Sequence, residues 1–269
     1  MKIALCISGY FGSTSDPFSD GAKGFEYIKR EILDKYSVDV FIHSWDLTRG
    51  SEIRDAYSPW LRSIELEPQK DFKEEQEKIK GDWTGAPCSK FNFLSQAYGR
   101  KKSLELKDRY EEEYDFVYDW VIYCRFDLGL RDLRTADPRY RCCEIDFDPS
   151  YDSSLIYTKY WPQFNQGFAD MWVYANSENM DTYAKYYDDI FTHMQPGSAY
   201  LTDMTSGWFD SSAKEEFSNE MFKEDKCKEK RAFPYHWCLG NNHSLHKWFF
   251  KKRGLYDKCK EGALVCRTK

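Results

Sequence analysis

An open, mostly parallel α/β sheet flanked by helices is the fold class that this 269-residue sequence predicts. Three observations predict it. Short continuous apolar runs recur, each as long as a strand buried on both faces. An amphipathic helical stretch separates the first two runs, which makes a βαβ unit and implies a right-handed crossover between parallel strands. Finally, the runs end in small, polar or charged residues, as the carboxyl edge of a parallel sheet does where it meets a ligand.

The first run is Ile3 to Ile7, which ends in Ser8-Gly9-Tyr10-Phe11-Gly12. Phe25, Ile28, Ile32 and Leu33 then recur at helical spacing with Lys29, Arg30, Glu31 and Lys35 between them, giving a helix over about residues 20 to 36. Val38 to Ile42 is the second buried strand. Beyond Asp46 the pattern weakens, Pro59 and Pro68 break it, and a short strand at Leu61 to Leu66 precedes a charge run from Lys70 to Lys80 that reads as a solvated helix face. A long helix begins near Ser89 and carries Phe93, Ala97, Leu104 and Tyr110 through Glu113. Phe116 to Cys124 follows as the strongest strand pattern in the chain and leads into Arg125-Phe126-Asp127-Leu128. Further strands are expected at Ser154 to Tyr157 and Met171 to Ala175, with helices at Ser177 to Phe191 and Phe217 to Lys230 and a mixed tail from Leu245. No repeat, linker or low-complexity tract interrupts the chain, so one continuous domain is expected over 1–269.

Composition narrows the classes. Charged residues are 31% and hydrophobic residues 41%, the balance of a soluble globular chain that can bury a full core. A formal net charge of −6 argues against duplex nucleic acid as a partner, because that requires a dense basic face. The apolar run after Met1-Lys2 is too short for a signal peptide, and no stretch approaches the ~20 apolar residues of a membrane span, which together suggest a cytoplasmic protein. Nine cysteines, an odd number without a Cys-x-x-Cys pair, indicate reduced thiols rather than a disulfide framework or zinc ribbon. Aromatic residues reach 18%, a surplus that suits both cores and sites that stack flat or ring-shaped ligands.

Three strand ends could carry chemistry. Ser8, Gly9, Tyr10 and Phe11 combine a glycine that lets backbone amides approach a ligand with two rings that could flank a base. His43, Ser44, Trp45 and Asp46 place a stacking surface beside a carboxylate. Arg125 and Asp127 lie two apart, so they share one strand face while Phe126 takes the other, and a cation and an anion there suit a phosphorylated ligand and a divalent ion. Each has a plainer reading: Gly9 as a turn glycine, Trp45 as core, and Arg125 and Asp127 as partners of each other or of helix ends.

Lys2-Ile3-Ala4-Leu5-Cys6-Ile7-Ser8-Gly9, the segment Val38 to Asp46, and Tyr114-Asp115-Phe116 leading to Arg125-Phe126-Asp127-Leu128 resemble a group of virus-encoded and bacterial glycosyltransferases. Phe93-Leu94-Ser95-Gln96-Ala97-Tyr98 and Gly167-Phe168-Ala169-Asp170-Met171-Trp172-Val173 follow in the group's order, so the resemblance spans about residues 2 to 180. Within it the nearest likeness is to xylosyltransferases that build capsid glycans in large DNA viruses of algae, which would place the protein in a host cytoplasm. The resemblance implies a GT-A-like fold whose Rossmann-type half, about 1–130, binds a nucleotide sugar, while about 131–269 binds a glycan or glycoprotein acceptor. It implies a UDP-sugar donor, with UDP-xylose the first choice, and Mn²⁺ or Mg²⁺ held across the diphosphate by an Asp-x-Asp pair. This sequence has Arg125-x-Asp127 instead, which leaves Asp127 as one carboxylate ligand and lets Arg125 supply part of the charge neutralisation.

Sugar transfer passes through an oxocarbenium-like state, and an inverting enzyme must also deprotonate the acceptor hydroxyl. Asp170 is the candidate base, since it precedes Met171 to Ala175 in an aromatic, glycine-containing stretch that favours a protonatable carboxylate. The alternative is that Asp170 caps a turn or binds a sugar hydroxyl. Asp203 and Glu220 are weaker candidates. His243 and His246 stand three apart without a further ligand pattern, and His236 or His243 could reach a diphosphate late in the chain. Lys247, Lys251, Lys252 and Arg253 read as a solvated helix face or a phosphate contact. Two rival functions use the same residues: a non-catalytic carbohydrate-binding module built on aromatic platforms, and a nucleotidyltransferase-like enzyme that shares the N-terminal half.

Overall fold

The structure, a computed structural model, describes residues 1–12, 20–79, 88–130, 143–159, 168, 170–195, 198–199, 242–255 and 258. The strands β1 (Ile3–Gly9), β2 (Val38–Ser44), β3 (Leu61–Leu66), β4 (Trp120–Arg125) and β5 (Trp172–Ala175) form one five-stranded sheet of order β3-β2-β1-β4-β5. The first four are parallel, and β5 runs antiparallel to β4. Starting from β1 the chain moves outward through β2 to β3, then crosses back to β4 on the other side of β1. The strand order therefore reverses between β1 and β4.

Both faces of the sheet are covered, which explains why β1, β2 and β4 are continuous apolar runs. On one face α1 (Gly21–Ile28), its π-helical continuation Lys29–Leu33, and α2 (Gly50–Tyr57) bury Ile28, Ile32, Leu33, Ile53 and Tyr57 against Leu5, Ile7, Val40, Ile42, Ile122 and Cys124. On the other, α4 (Lys90–Tyr114) lays Phe93, Leu94, Ala97 and Leu104 over Ala4, Cys6, Phe41, Val121 and Tyr123. That core extends to α5 (Ser177–Ala184), α6 (Tyr186–His193) and α7 (Asn242–Lys252), the last through Leu245, Trp248, Phe249 and Phe250. Between β3 and α4 lies α3 (Lys73–Lys78), which buries no side chain, as the charge run predicts.

Several boundaries differ from expectation for local reasons. The strand expected from Phe116 begins only at Trp120, because Asp115 closes α4 in the left-handed region at φ 52° and Glu111 then takes the backbone N–H of Tyr118 at 2.7 Å. Ser154 to Tyr157 is an Asp152-centred turn with isolated bridges at Ile156 and Tyr157, the latter to Tyr174, rather than a strand. The helix expected over Ser177 to Phe191 is two helices separated at Lys185. The helix α2 was not expected, and α7 occupies part of the tail read as mixed. In α7 Lys247 is buried, whereas Lys252 and Arg253 are exposed, so the basic face is only partly solvated. The helix expected over Phe217 to Lys230, and with it Asp203, Glu220 and His236, lies outside the described residues.

Candidate functional site

The parallel strands deliver their carboxyl ends to one edge of the sheet. Because β5 is antiparallel, its amino end arrives there too, and Met171 O accepts the N–H of Arg125 at 3.1 Å. Ser8 pairs with Arg125 and Gly9 with Ser44, so the three polar strand ends and Asp170 meet at the point where the strand order reverses. In open α/β sheets that crevice is where ligands bind.

Arg125 organises the β4 side. Its Nε and Nη2 donate to the two carboxylate oxygens of Asp127 at 2.9 and 2.8 Å, and its Nη1 stands 3.8 Å from Asp170 Oδ2. Gln96 of α4 donates to the same Asp170 oxygen at 2.5 Å. Burial works against the guanidinium charge, but the flanking Asp127 and Asp170 outweigh it and raise the pKa above its ordinary value. The Arg125 side chain remains 29% exposed, so part of it reaches solvent. Phe126 points the other way, edge-on to Phe11 with ring centroids 5.1 Å apart. The turn is held from below by α1, which approaches so closely that a Cβ on Gly24 would lie 1.7 Å from Phe126 O. Only glycine fits there.

At the β1 end, Ser8 Oγ and Tyr123 Oη share a buried hydrogen bond of 3.0 Å. Gly9 has φ +125° and open space where a side chain would stand. Tyr10 is 61% exposed, while Phe11 is buried beneath the Arg49 guanidinium, 4.4 Å from its ring centroid. At the β2 end, His43 Nε2 and Glu67 Oε1 are 2.8 Å apart, and burial lowers the histidine pKa despite that carboxylate. Trp45 is buried and stacked on Tyr98 at 5.4 Å. The stacking surfaces expected of Phe11 and Trp45 are thus turned into the core, and Tyr10 is the ring that faces solvent. Asp46 Oδ1 accepts from Thr48 Oγ1 at 2.7 Å and from the Arg49 N–H at 3.1 Å, whereas its buried Oδ2 has no partner. An orphaned carboxylate oxygen costs free energy unless a donor reaches it, so it is a ready acceptor.

Sequence reasoning missed Gln96 and Arg100. Arg100 is buried among Tyr123, Tyr183 and Tyr186, 4.6 to 5.2 Å from their ring centroids, and its Nη1 lies 2.6 Å from His246 Nε2. The pattern that betrays it is a charge within the apolar stripe Phe93, Ala97, Leu104, one turn after Ala97. Gln96 has no such mark, because an amide beside an apolar stripe is ordinary.

The donor set at this edge does not fit a divalent ion. Among the described residues no third carboxylate, histidine or thiol joins Asp127 and Asp170 at ligand spacing, and the Arg125 guanidinium lies between the two. Three carboxylates spaced so that they could hold a metal ion, Asp108, Glu111 and Asp181, lie within 4.8 Å of one another at the opposite end of α4. There Lys107 Nζ already sits among them, 2.5, 2.7 and 2.6 Å from Asp108, Glu111 and Asp181, and donates to Ser177 Oγ at 2.5 Å. A buried ammonium left unpaired costs several kcal/mol, so an incoming cation would compete with one already well held. A cavity of about 750 Å³ opens beside this cluster, also lined by Phe116 and Val117, and so lies at the amino ends of the strands rather than at the candidate site.

No protein-family model matches the chain, and no curated protein matches it. Among solved structures, apo mouse xyloside xylosyltransferase 1 is similar over 82% of each chain, with a TM-score of 0.36 and 10% sequence identity. No helix among the described residues is long and apolar enough to cross a membrane.

Proposed function

We propose that this chain is a glycosyltransferase that moves a sugar from a nucleoside-diphosphate sugar to a glycan hydroxyl. The observation that carries the reading is the convergence of Ser8, Gly9, Asp46, Arg125, Asp127 and Asp170 on one crevice where the strand order reverses. In this reading the nucleoside lies over β1 and β2, with Tyr10 against the base. The diphosphate meets the open Gly9 backbone and Arg125. The acceptor hydroxyl approaches from β5; its oxygen bonds to the sugar carbon, its proton passes to Asp170, and the nucleoside diphosphate departs with the electrons of the broken C–O bond. Xylose as the donor sugar and the algal-virus setting rest on the sequence resemblance alone. A carbohydrate-binding module is less well supported, since among the described residues Trp45, Trp120, Trp172 and Trp248 are buried and Trp60 is only partly exposed.

Calorimetry with UDP, GDP, CDP and their sugars tests the reading: one nucleotide is expected to bind, and failure of all of them ends it. Asp170→Asn is expected to keep donor affinity and lose about 10²- to 10⁴-fold in turnover, the range for removal of a general base. Near-normal turnover would place the base elsewhere.

A further inference from the structure

We infer that the Arg125 guanidinium fills the position between Asp127 and Asp170 that a divalent metal would otherwise take and holds the donor diphosphate by hydrogen bonds, so that donor binding needs no metal ion. This rests on the transferase reading above and specifies how its site handles charge. Arg125 stands between the two carboxylates a metal would bridge, bound in a fork to Asp127 and facing Asp170 at 3.8 Å. Among the described residues no acceptor lies within hydrogen-bond distance of its Nη1, Asp170 Oδ2 being 3.8 Å away, and a planar fork fixed on one side by a carboxylate presents its other edge in a defined plane. Two carboxylates and one guanidinium leave a single negative charge, which the deeper Arg100 offsets; its Nε and Nη2 have no hydrogen-bond partner. A divalent ion entering this group would have to displace or approach a guanidinium that both carboxylates hold in place, and like charges at that range repel strongly.

The geometry yields a sharper consequence. Removing the guanidinium leaves Asp127 and Asp170 without a third ligand among the described residues, so Arg125→Met should lose donor binding and not regain it with a metal ion.

The experiment is calorimetric titration of the full chain with UDP, GDP and CDP, in EDTA and in Mn²⁺. The parent is expected to bind one nucleotide with the same affinity, within about twofold, in both. Arg125→Lys, which keeps the charge and loses the fork, is expected to bind at least tenfold more weakly in both, and so is Arg125→Met. Parent binding that strengthens tenfold or more with Mn²⁺ overturns the inference while leaving the transferase reading intact. Arg125→Lys or Arg125→Met that binds like the parent in EDTA also overturns it. No binding by the parent in either condition overturns the transferase reading itself, and this inference with it. If Arg125→Met fails to fold, the parent and Arg125→Lys titrations decide.

Discussion

Asp127 shows how a single side chain can be read two ways. Both its oxygens accept from Arg125, so it is a structural partner, yet that partnership also sets Nη1 facing Asp170 at 3.8 Å. Asp127→Asn keeps the shape and removes the charge. UDP affinity is then expected to hold, because the guanidinium remains, while turnover falls about 10²-fold because the fork is no longer fixed, the size of effect that slight misplacement produces. Paired kcat and KM measurements with a thermal melt check this: a variant that melts early and keeps its specific activity would make the pair purely structural. At this scale the sequence was informative where residues follow a buried strand, since strand ends in a parallel sheet have a fixed destination. It was uninformative about side-chain accessibility. Phe11, Tyr10 and Trp45 are equally aromatic, and only packing decides that Tyr10 alone faces solvent.

At the scale of elements, α4 carries two separate polar centres, Gln96 with Arg100 near its start and Lys107 with its carboxylates near its end. The second clamps α5, because Lys107 and Glu111 both bond Ser177 at the first residue of that helix. Burial pushes the Asp108 carboxyl up to about 7, against the pull of Lys107. The folded protein therefore holds a proton there at pH values where the unfolded chain, with an ordinary carboxyl near 3.8, has released it. Folding is favoured by that proton, so the Asp108 contribution is lost as pH rises from about 4 to about 7. Asp108→Asn should raise the melting temperature at pH 8 and leave it nearly unchanged at pH 4; a lower melting temperature at pH 8 would mean the pairing with Lys107 outweighs the cost of burial. Element existence was legible for β1, β2, β3 and α4, whose patterns are long or doubly buried. The early part of β4 was not, because Phe116 to Asp119 is apolar enough for a strand but is captured by the α4 cap and by Glu111 before pairing begins. Likewise α2 is short, and its two core contacts, Ile53 and Tyr57, are too few to make a visible period.

At the scale of the molecule, the sequence conveyed the sheet class and the shared edge but not the metal question. Arg125-x-Asp127 could have paired inward, bound phosphate or left room for an ion, and it is the arrival of Asp170 from an antiparallel β5 that decides the local charge arrangement. That strand direction cannot be read from Met171 to Ala175 alone, since parallel and antiparallel buried strands use the same residues.

The central place of β1 bears on how the chain assembles as it is made. Its first partner, β2, follows within about 40 residues, but its second, β4, begins at Trp120, so Ile3 to Ser8 must wait for more than 100 further residues before that edge is paired. Contacts between distant segments make folding slow and leave apolar edges available to other chains in the interval. A fragment ending at residue 118 carries β1, β2, β3 and α4 yet exposes the β4-facing edge of its most apolar strand. Such a fragment should associate where the full chain stays monodisperse in light scattering, and a well-behaved monomeric fragment would show that α4 alone shields the edge. The same topology makes the crevice one of the last features to form, because Arg125 and Asp170 reach Ser8 only when both β4 and β5 have been laid down. Ligand binding would then report that β4 and β5 have joined the sheet, and a nucleotide supplied during refolding would act on that step.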